Sequence, residues 1–360
     1  MTEFNLEQMP LAATRKELDQ GPDVVARVIS ALAADIATLV KQLEARQINH
    51  VLILGSGDSY YLGLAARQAF QSCTHIQLTV LQALEFACYG FPNIDERCAI
   101  FIISSSGRKS IIWDALERAA TTPAFIVGVT DNIADSNPII HKAHVTLLPR
   151  SEKIGWPTQT TSAALTLLFM LAVEWGLQSG RLSPPKAQEL NLQIRSMPEK
   201  MKNVLETSRS FAEKVAAETV NQNVFTFIAS GPNEGVAHIG TALLAEGPQR
   251  FGQALPLEEL HHSLRQYILQ PGNPVILIAT HPTCLQRSMD TAQVARERNT
   301  CLIGIISEQT REIGIYCDAQ IDIPETPEFF SPLLTMIPLQ ELSIQLAEQR
   351  IRQGYNRPYR

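Results

Sequence analysis

At 360 residues, the chain is long enough for about two domains at roughly 150 residues each, and each half can bury a core without staples. Its net charge of −6 supplies no basic field, which argues against nonspecific nucleic-acid or anionic-membrane binding. A single phosphorylated ligand stays possible, because one phosphate needs only a local site. The 18% charged share is below the roughly 25% typical of globular chains, so extra surface is expected to be covered in a homo-oligomer. The six cysteines, at 73, 88, 98, 284, 301 and 317, have no zinc-site or CxxC spacing. They read as small buried residues in a reducing cytosol. The acids from Glu3 to Glu17 exclude a signal peptide. The apolar stretch Ala163–Val173 is too short to span a bilayer, and a cytoplasmic protein with no membrane partner is expected.

Along the first half, strands are expected at His50–Ser56, Ile76–Leu81, Ala99–Ser105, Ala124–Thr130 and Val145–Leu148. Helices are expected at Tyr60–Gln71, Ser110–Ala120 and Thr158–Gly176, among others. Short apolar strands separated by helical stretches indicate βαβ units and a parallel sheet. The second half repeats the plan, with strands at Asn223–Gly231, Pro274–Thr280, Cys301–Ser307 and Ala319–Ile323 and helices at Val236–Gln249 and about Thr283–Arg298. The halves match in architecture and not in side chains, which reads as a tandem duplication. Gly180–Pro185 and a polar helical stretch from Glu189 to Thr219, broken at Pro198, form the expected linker. The expected division is 1–34 as a helical arm, 35–180 and 206–350 as two α/β domains, 181–205 as linker and 351–360 as tail.

Three groups of residues carry chemistry. Gly55-Ser-Gly-Asp-Ser-Tyr60 joins a strand to a helix, where unpaired N–H groups can meet an anion. It lacks the third glycine of a dinucleotide loop and the ending of a Walker loop, so an ordinary turn with Asp58 or Ser59 as cap competes with ligand binding. Ser104, Ser105, Ser106, Gly107, Lys109 and Ser110 form a sharper loop. Its hydroxyls, backbone N–H groups and cation suit a phosphate monoester, and open α/β sheets place ligands at the carboxyl ends of their strands. A capped polar turn is the alternative. In the second half, Glu246 sits in Ala242-Leu-Leu-Ala-Glu-Gly247, where burial would raise its pKa and fit it for acid–base work. His261 and His262 follow closely as candidate proton carriers or a solvated helix face. His281 ends a strand with no partner evident in the sequence.

Together these residues resemble the tandem sugar isomerase (SIS) domain proteins, which include the isomerase half of glucosamine-6-phosphate synthase, fructosamine-6-phosphate deglycases and amino-sugar-phosphate deaminase/isomerases. The resemblance covers nearly the whole chain. Lys16-Glu-Leu-Asp-Gln-Gly-Pro22 is similar to the family's KEIxxQP segment with one residue inserted. The loop at 55–60 resembles G-x-G-T-S-Y, and Ser104-Ser-Ser-Gly107 resembles S-x-S-G-x-T. Glu152 and Thr158-Gln-Thr-Thr161 fall in the E-x-x-V-x-S-T-K-x-F segment, and Glu246 and His262 on the family's glutamate and histidine.

The resemblance implies two flavodoxin-like αβα domains around five-stranded parallel sheets. It implies a sugar phosphate held by Gly57, Asp58, Ser59, Ser104, Ser105, Ser106, Lys109, Ser110, Glu152 and Thr158. Proton transfer would fall to Glu246, and ring opening to His262 reaching in from a second subunit, so a homodimer with sites at its interface is expected. No metal or organic cofactor is implied. Asp58 and Lys109 stand where the family has threonines, and Pro157 and Gln159 where it has a serine and a lysine. The tail Asn356–Arg360 resembles a shortened D-x-P-R-x-L-x-K ending without the Schiff-base lysine. The start at Met1-Thr2 implies no glutaminase domain, so glutamine-dependent synthesis is not expected. These departures favour a fructosamine-6-phosphate deglycase. A deaminase/isomerase and a sugar-phosphate sensor without turnover are the alternatives.

Overall fold

The computed structural model describes residues 10–355, so the expectations for Asn356–Arg360 lie outside the described residues. The chain forms two compact units. One comprises Asp23–Lys153 and Gln159–Pro198, and the other comprises Ile154–Thr158 and the described parts of Met1–Pro22 and Glu199–Arg360. We call them the first-sheet and second-sheet units. The helices ahead of the first sheet are α1 (Pro10–Asp19), α2 (Gly21–Ala31) and α3 (Ala33–Ala45).

The first-sheet unit holds β1 (His50–Gly55), β2 (Gln77–Gln82), β3 (Cys98–Ile103), β4 (Phe125–Val129) and β5 (Val145–Leu147), all parallel in the order β2-β1-β3-β4-β5. β1, β3 and β4 read as unbroken apolar runs because helices cover both faces of the sheet. Leu52, Leu54, Ile100, Ile102 and Ile126 pack on one face against Phe86 of α5 (Ala83–Tyr89), Ile112 and Leu116 of α6 (Ile111–Ala120) and Ile139 of α7 (Pro138–Lys142). α4 (Asp58–Cys73) and α8 (Gln159–Gln178) pack on each other, as do α3 and α8. Fully burying one such aliphatic side chain contributes about 1.5–3 kcal/mol.

Two expectations change here. α8 is 20 residues long and, among the described residues, the one helix apolar enough by length and composition to cross a membrane. The stretch Ala163–Val173 underestimated it, because Thr160, Thr161, Ser162 and Thr166 are buried with the apolar residues. In this fold α8 is a core helix. The break expected at Pro198 is also absent: α9 runs from Pro184 to Thr219 with Pro198 inside it.

The second-sheet unit repeats the topology. β6 (Val224–Ala229), β7 (Phe251–Pro256), β8 (Pro274–Ala279), β9 (Cys301–Ile306) and β10 (Ala319–Asp322) lie parallel in the order β10-β9-β8-β6-β7. In chain order this is the same 2-1-3-4-5 winding as the first sheet, the flavodoxin-like order. α10 (Asn233–Glu246) follows β6, and α11 (Leu257–Glu259), a π-helical turn at Leu260–Leu264 and α12 (Arg265–Ile268) follow β7. α13 (Leu285–Glu297) and α14 (Pro332–Arg352) complete the unit. Ile228, Val275, Leu277, Leu302 and Ile306 form its core with Leu257, Leu260, Ala292 and Ala295. The start of the expected tail is ordered: Tyr355 donates its hydroxyl to Gln249 Oε1 at 2.7 Å, and the Arg350 guanidinium lies 3.5 Å from its ring centroid.

Candidate functional site

In the first-sheet unit, β1 and β3 pair in register, Leu54 with Ile102, so the loops that leave their carboxyl ends start side by side. Gly57 is the N-cap of α4 at φ +55°, a left-handed conformation that favours glycine. Its carbonyl accepts the N–H groups of Tyr60 and Tyr61 at 2.9 and 3.1 Å. Asp58 opens the helix and accepts a hydrogen bond from Thr161 Oγ1 at 3.1 Å. Its negative charge at a helix N-terminus takes up the favourable dipole. This carboxylate therefore suits a sugar hydroxyl and not a phosphate. Ser59 is partly buried in the same turn.

The second loop is held from behind. Ser104 is buried, and its N–H donates to the Val129 carbonyl at 2.9 Å. Ser105 Oγ donates to Asp131 Oδ2 at 2.6 Å, and Asp131 N–H donates back to the Ser105 carbonyl at 3.0 Å. Asn132 Nδ2 donates to the Ser106 carbonyl at 2.8 Å. Gly107 adopts φ +54°, and a Cβ there would lie 2.4 Å from Asn137 Nδ2. Asn137 is itself fixed, donating to Asn132 O and Thr130 Oγ1 while accepting from Ile139 N. The turn is thus rigid, as an anion cradle must be.

The hydroxyls divide by role. Ser110 Oγ accepts from Ile112 N as the N-cap of α6, so the capping alternative applies to this residue. Ser105 Oγ is a donor already committed to Asp131. The N–H groups of Ser104, Gly107 and Arg108 are engaged within the loop and with Val129, so the Ser104 and Ser106 hydroxyls and the N–H groups of Ser105 and Ser106 remain for an anion, beside an exposed Lys109 that makes no hydrogen bond or ion pair among the described residues. Glu152 is exposed in the loop after β5.

Sequence reasoning missed Asp131, Ser56 and Ser151. Ser56 Oγ and Ser151 Oγ are buried without a hydrogen-bond partner among the described residues, as is Gln159 Nε2 at the start of α8. Leaving such a group unsatisfied costs about 1–3 kcal/mol. Ser56 and Ser151 follow the carboxyl ends of β1 and β5, and that position was the signal that could have found them.

In the second-sheet unit, the Lys16–Pro22 segment has a visible task. Glu17 accepts hydrogen bonds from the N–H groups of Ile154 and of Gly155, the latter at 3.2 Å. Thr14 Oγ1 accepts from Trp156 N at 3.0 Å, and Trp156 Nε1 donates to Ser343 Oγ at 3.1 Å. Together these clamp 154–156 next to the buried Thr158.

Glu246 is the last residue of α10 and is exposed, which corrects the expected burial. Leu243 and Leu244 are the residues of that turn that face the core, and Glu246 lies off their face where the helix ends. His262 is also exposed, with non-helical backbone in the π-helical turn, and its ion pair is with Glu258 at 3.6 Å. Glu258 in turn accepts two hydrogen bonds from Arg287, at 2.7 and 2.5 Å, which hold its carboxyl below the usual range. His262 therefore forms its ion pair with Glu258 and not with Glu246. His281 does acquire partners: Thr283 Oγ1 at 2.7 Å and Glu328 Oε2 at 3.3 Å.

His261 bonds Thr291 Oγ1 at 2.7 Å. Burial lowers its pKa, as do Arg287 and Arg265, against the opposing pull of Glu258 and Asp290. A histidine pKa lowered by folding means that the unfolded chain takes up the proton first, so stability is complete above about pH 6.5 and falls as pH drops below it. We expect the melting temperature to fall less steeply between pH 7 and pH 5 in His261→Gln than in the wild type. Equal slopes in thermal denaturation would contradict this assignment.

Residues 44–174 match the SIS domain family. Glutamine–fructose-6-phosphate aminotransferase (isomerizing) of Bacteroides thetaiotaomicron is 28% identical over 318 residues, covering 88% of this chain and 50% of that protein. The chain thus spans about half the length of the curated relatives it matches. The C-terminal domain of glucosamine-fructose-6-phosphate aminotransferase from Francisella tularensis superposes with a TM-score of 0.85 at 16% identity, covering 93% of this chain and 95% of that one. Glucosamine-6-phosphate deaminase from Thermotoga maritima gives 0.73 at 17%, covering 94% of both. At these identities the structural likeness is one of fold. The SIS match thus covers residues 44–174, and the sheet order of the first-sheet unit that they fill recurs in the second.

Proposed function

We propose that the protein is an enzyme that binds a sugar phosphate in the Ser104–Gly107 loop and acts on an amine-bearing sugar 6-phosphate. The observation that carries this reading is the braced loop itself, with its glycine at φ +54° and its hydroxyls and N–H groups at a strand end. The favoured reaction is the deglycation of a fructosamine 6-phosphate. A base removes a proton from C1, and the electron pair moves to give an enaminol. Protonation at C2 then gives an imine at C1, and water replaces the amine to leave an aldose 6-phosphate. Glu246 is assigned the proton transfer on the resemblance, and His262 assists ring opening from a second subunit of a homodimer. The steps are acid–base throughout and use this chain's own side chains.

A deaminase/isomerase runs the same proton transfer on an amino-sugar phosphate and releases ammonia. The glucosamine-6-phosphate deaminase of T. maritima among the fold neighbours favours this second reading.

The test is to incubate purified protein with phosphorylated fructosamines and with glucosamine 6-phosphate. Release of an aldose 6-phosphate and free amine supports the first reading, and release of ammonia from glucosamine 6-phosphate supports the second. Tight binding of a hexose 6-phosphate with no product over hours would refute both and leave a sensor.

A further inference from the structure

Three observations in the first-sheet unit converge on Ser151. Its side chain is buried, with the residue 8% exposed, and its hydroxyl has no partner among the described residues. The residue before it, Arg150, adopts φ +56°, a left-handed conformation that an arginine takes only when its surroundings impose it. The Arg150 carbonyl is pinned by Arg27 Nη2 at 3.1 Å. The Ser151 N–H then donates to Asp131 Oδ1 at 2.7 Å, and the other oxygen of the same carboxylate accepts from Ser105 Oγ at 2.6 Å. A strained turn therefore delivers a buried, unsatisfied hydroxyl to a point one carboxylate away from the anion loop. Buried hydroxyls in folded proteins are otherwise hydrogen-bonded.

We propose that Ser151 is a ligand-contacting residue of the sugar-phosphate site, and that its hydroxyl donates to a neutral oxygen of the sugar chain and not to the phosphate. The proposal rests on the reading that the 104–107 loop takes the phosphate. The charge of Asp131 assigns the two sides. A phosphate dianion is repelled by the carboxylate between Ser105 and Ser151, so it stays with the N–H groups of the loop. The Ser151 side is left for uncharged sugar oxygens. Asp131 is the positioning residue: both of its oxygens are engaged, and it fixes Ser105 and Ser151 relative to each other.

The experiment is calorimetric titration of the full chain with glucose 6-phosphate, the aldose product of the favoured reaction, and separately with inorganic phosphate. In Ser151→Ala we expect glucose 6-phosphate to bind at least fivefold more weakly. Inorganic phosphate should bind within twofold of wild type, and the melting temperature should not fall, since the hydroxyl has no partner among the described residues. Unchanged glucose 6-phosphate affinity, a parallel loss of inorganic phosphate, or a lower melting temperature would each overturn the proposal. If the wild type binds neither probe, the phosphate reading falls and the proposal falls with it. If the wild type binds both and Ser104→Ala loses both, the reading stands, and only the Ser151 result decides.

Discussion

Glu246→Gln is expected to lower kcat on the substrate by about 10²–10⁴-fold, the usual contribution of a positioned acid or base, and to leave glucose 6-phosphate affinity within twofold. Glutamine keeps the shape of the side chain and loses the ability to hold a proton between C1 and C2. Glu246 is exposed at the end of α10, and a thermal melt of the variant beside the kinetics separates a catalytic loss from unfolding. Turnover by the variant within tenfold of wild type would remove Glu246 from the mechanism and pass the role to another group. A kcat that falls with affinity in step would instead mark Glu246 as a binding residue.

Gly107→Ala is expected to damage both stability and binding. A side chain at φ +54° costs about 1–2 kcal/mol. Its Cβ would also press on Asn137 Nδ2 at 2.4 Å. Asn137 cannot swing away cheaply, because it is buried and its amide joins Asn132, Thr130 and Ile139. Breaking one such bond in the interior costs about 1–3 kcal/mol. The expected sum is a loss of about 3 kcal/mol in unfolding free energy, with glucose 6-phosphate affinity down at least tenfold because the N–H groups of the turn are displaced. Denaturant titration and calorimetry check the two effects. A variant that keeps wild-type stability and affinity would show that the turn is not the rigid cradle described above.

Residues 44–174 match the SIS domain family, while the loops of the first sheet differ from the pattern that the resemblance implies at several positions. Asp58 and Lys109 stand where threonines are usual, and they change the charge around the loops in opposite directions. Asp58 neutralises the helix end at the first loop, and Lys109 adds a cation beside the second. On the proposed reading, these two charges direct a phosphate to the 104–107 turn. His262 is engaged with Glu258 and, through it, with Arg287, so a role in ring opening requires it to leave that pair.

The sequence by itself determined the class of the fold and the position of the turn at Ser104–Gly107. β1, β3, β6, β8 and β9 are buried along nearly their whole length, so each appears as a short apolar run, and the serines and glycines that end β1 and β3 mark where the chain turns at the carboxyl edge of the sheet. β7 was not legible, because it is an edge strand with Gly252, Gln253 and Pro256 in it and only partial burial. An edge strand has one neighbour and no need of a continuous apolar run. Only the tertiary structure decided which residues stand behind the loop. Asp131 is 26 positions from Ser105 and 20 from Ser151, and nothing local marks it. Its role exists because β3, β4 and β5 lie side by side, so their carboxyl ends bring three distant segments within hydrogen-bond reach. Glu246 teaches the same lesson: its neighbours in sequence are apolar, but a helix turns 100° per residue, and the end of α10 leaves the carboxylate in solvent.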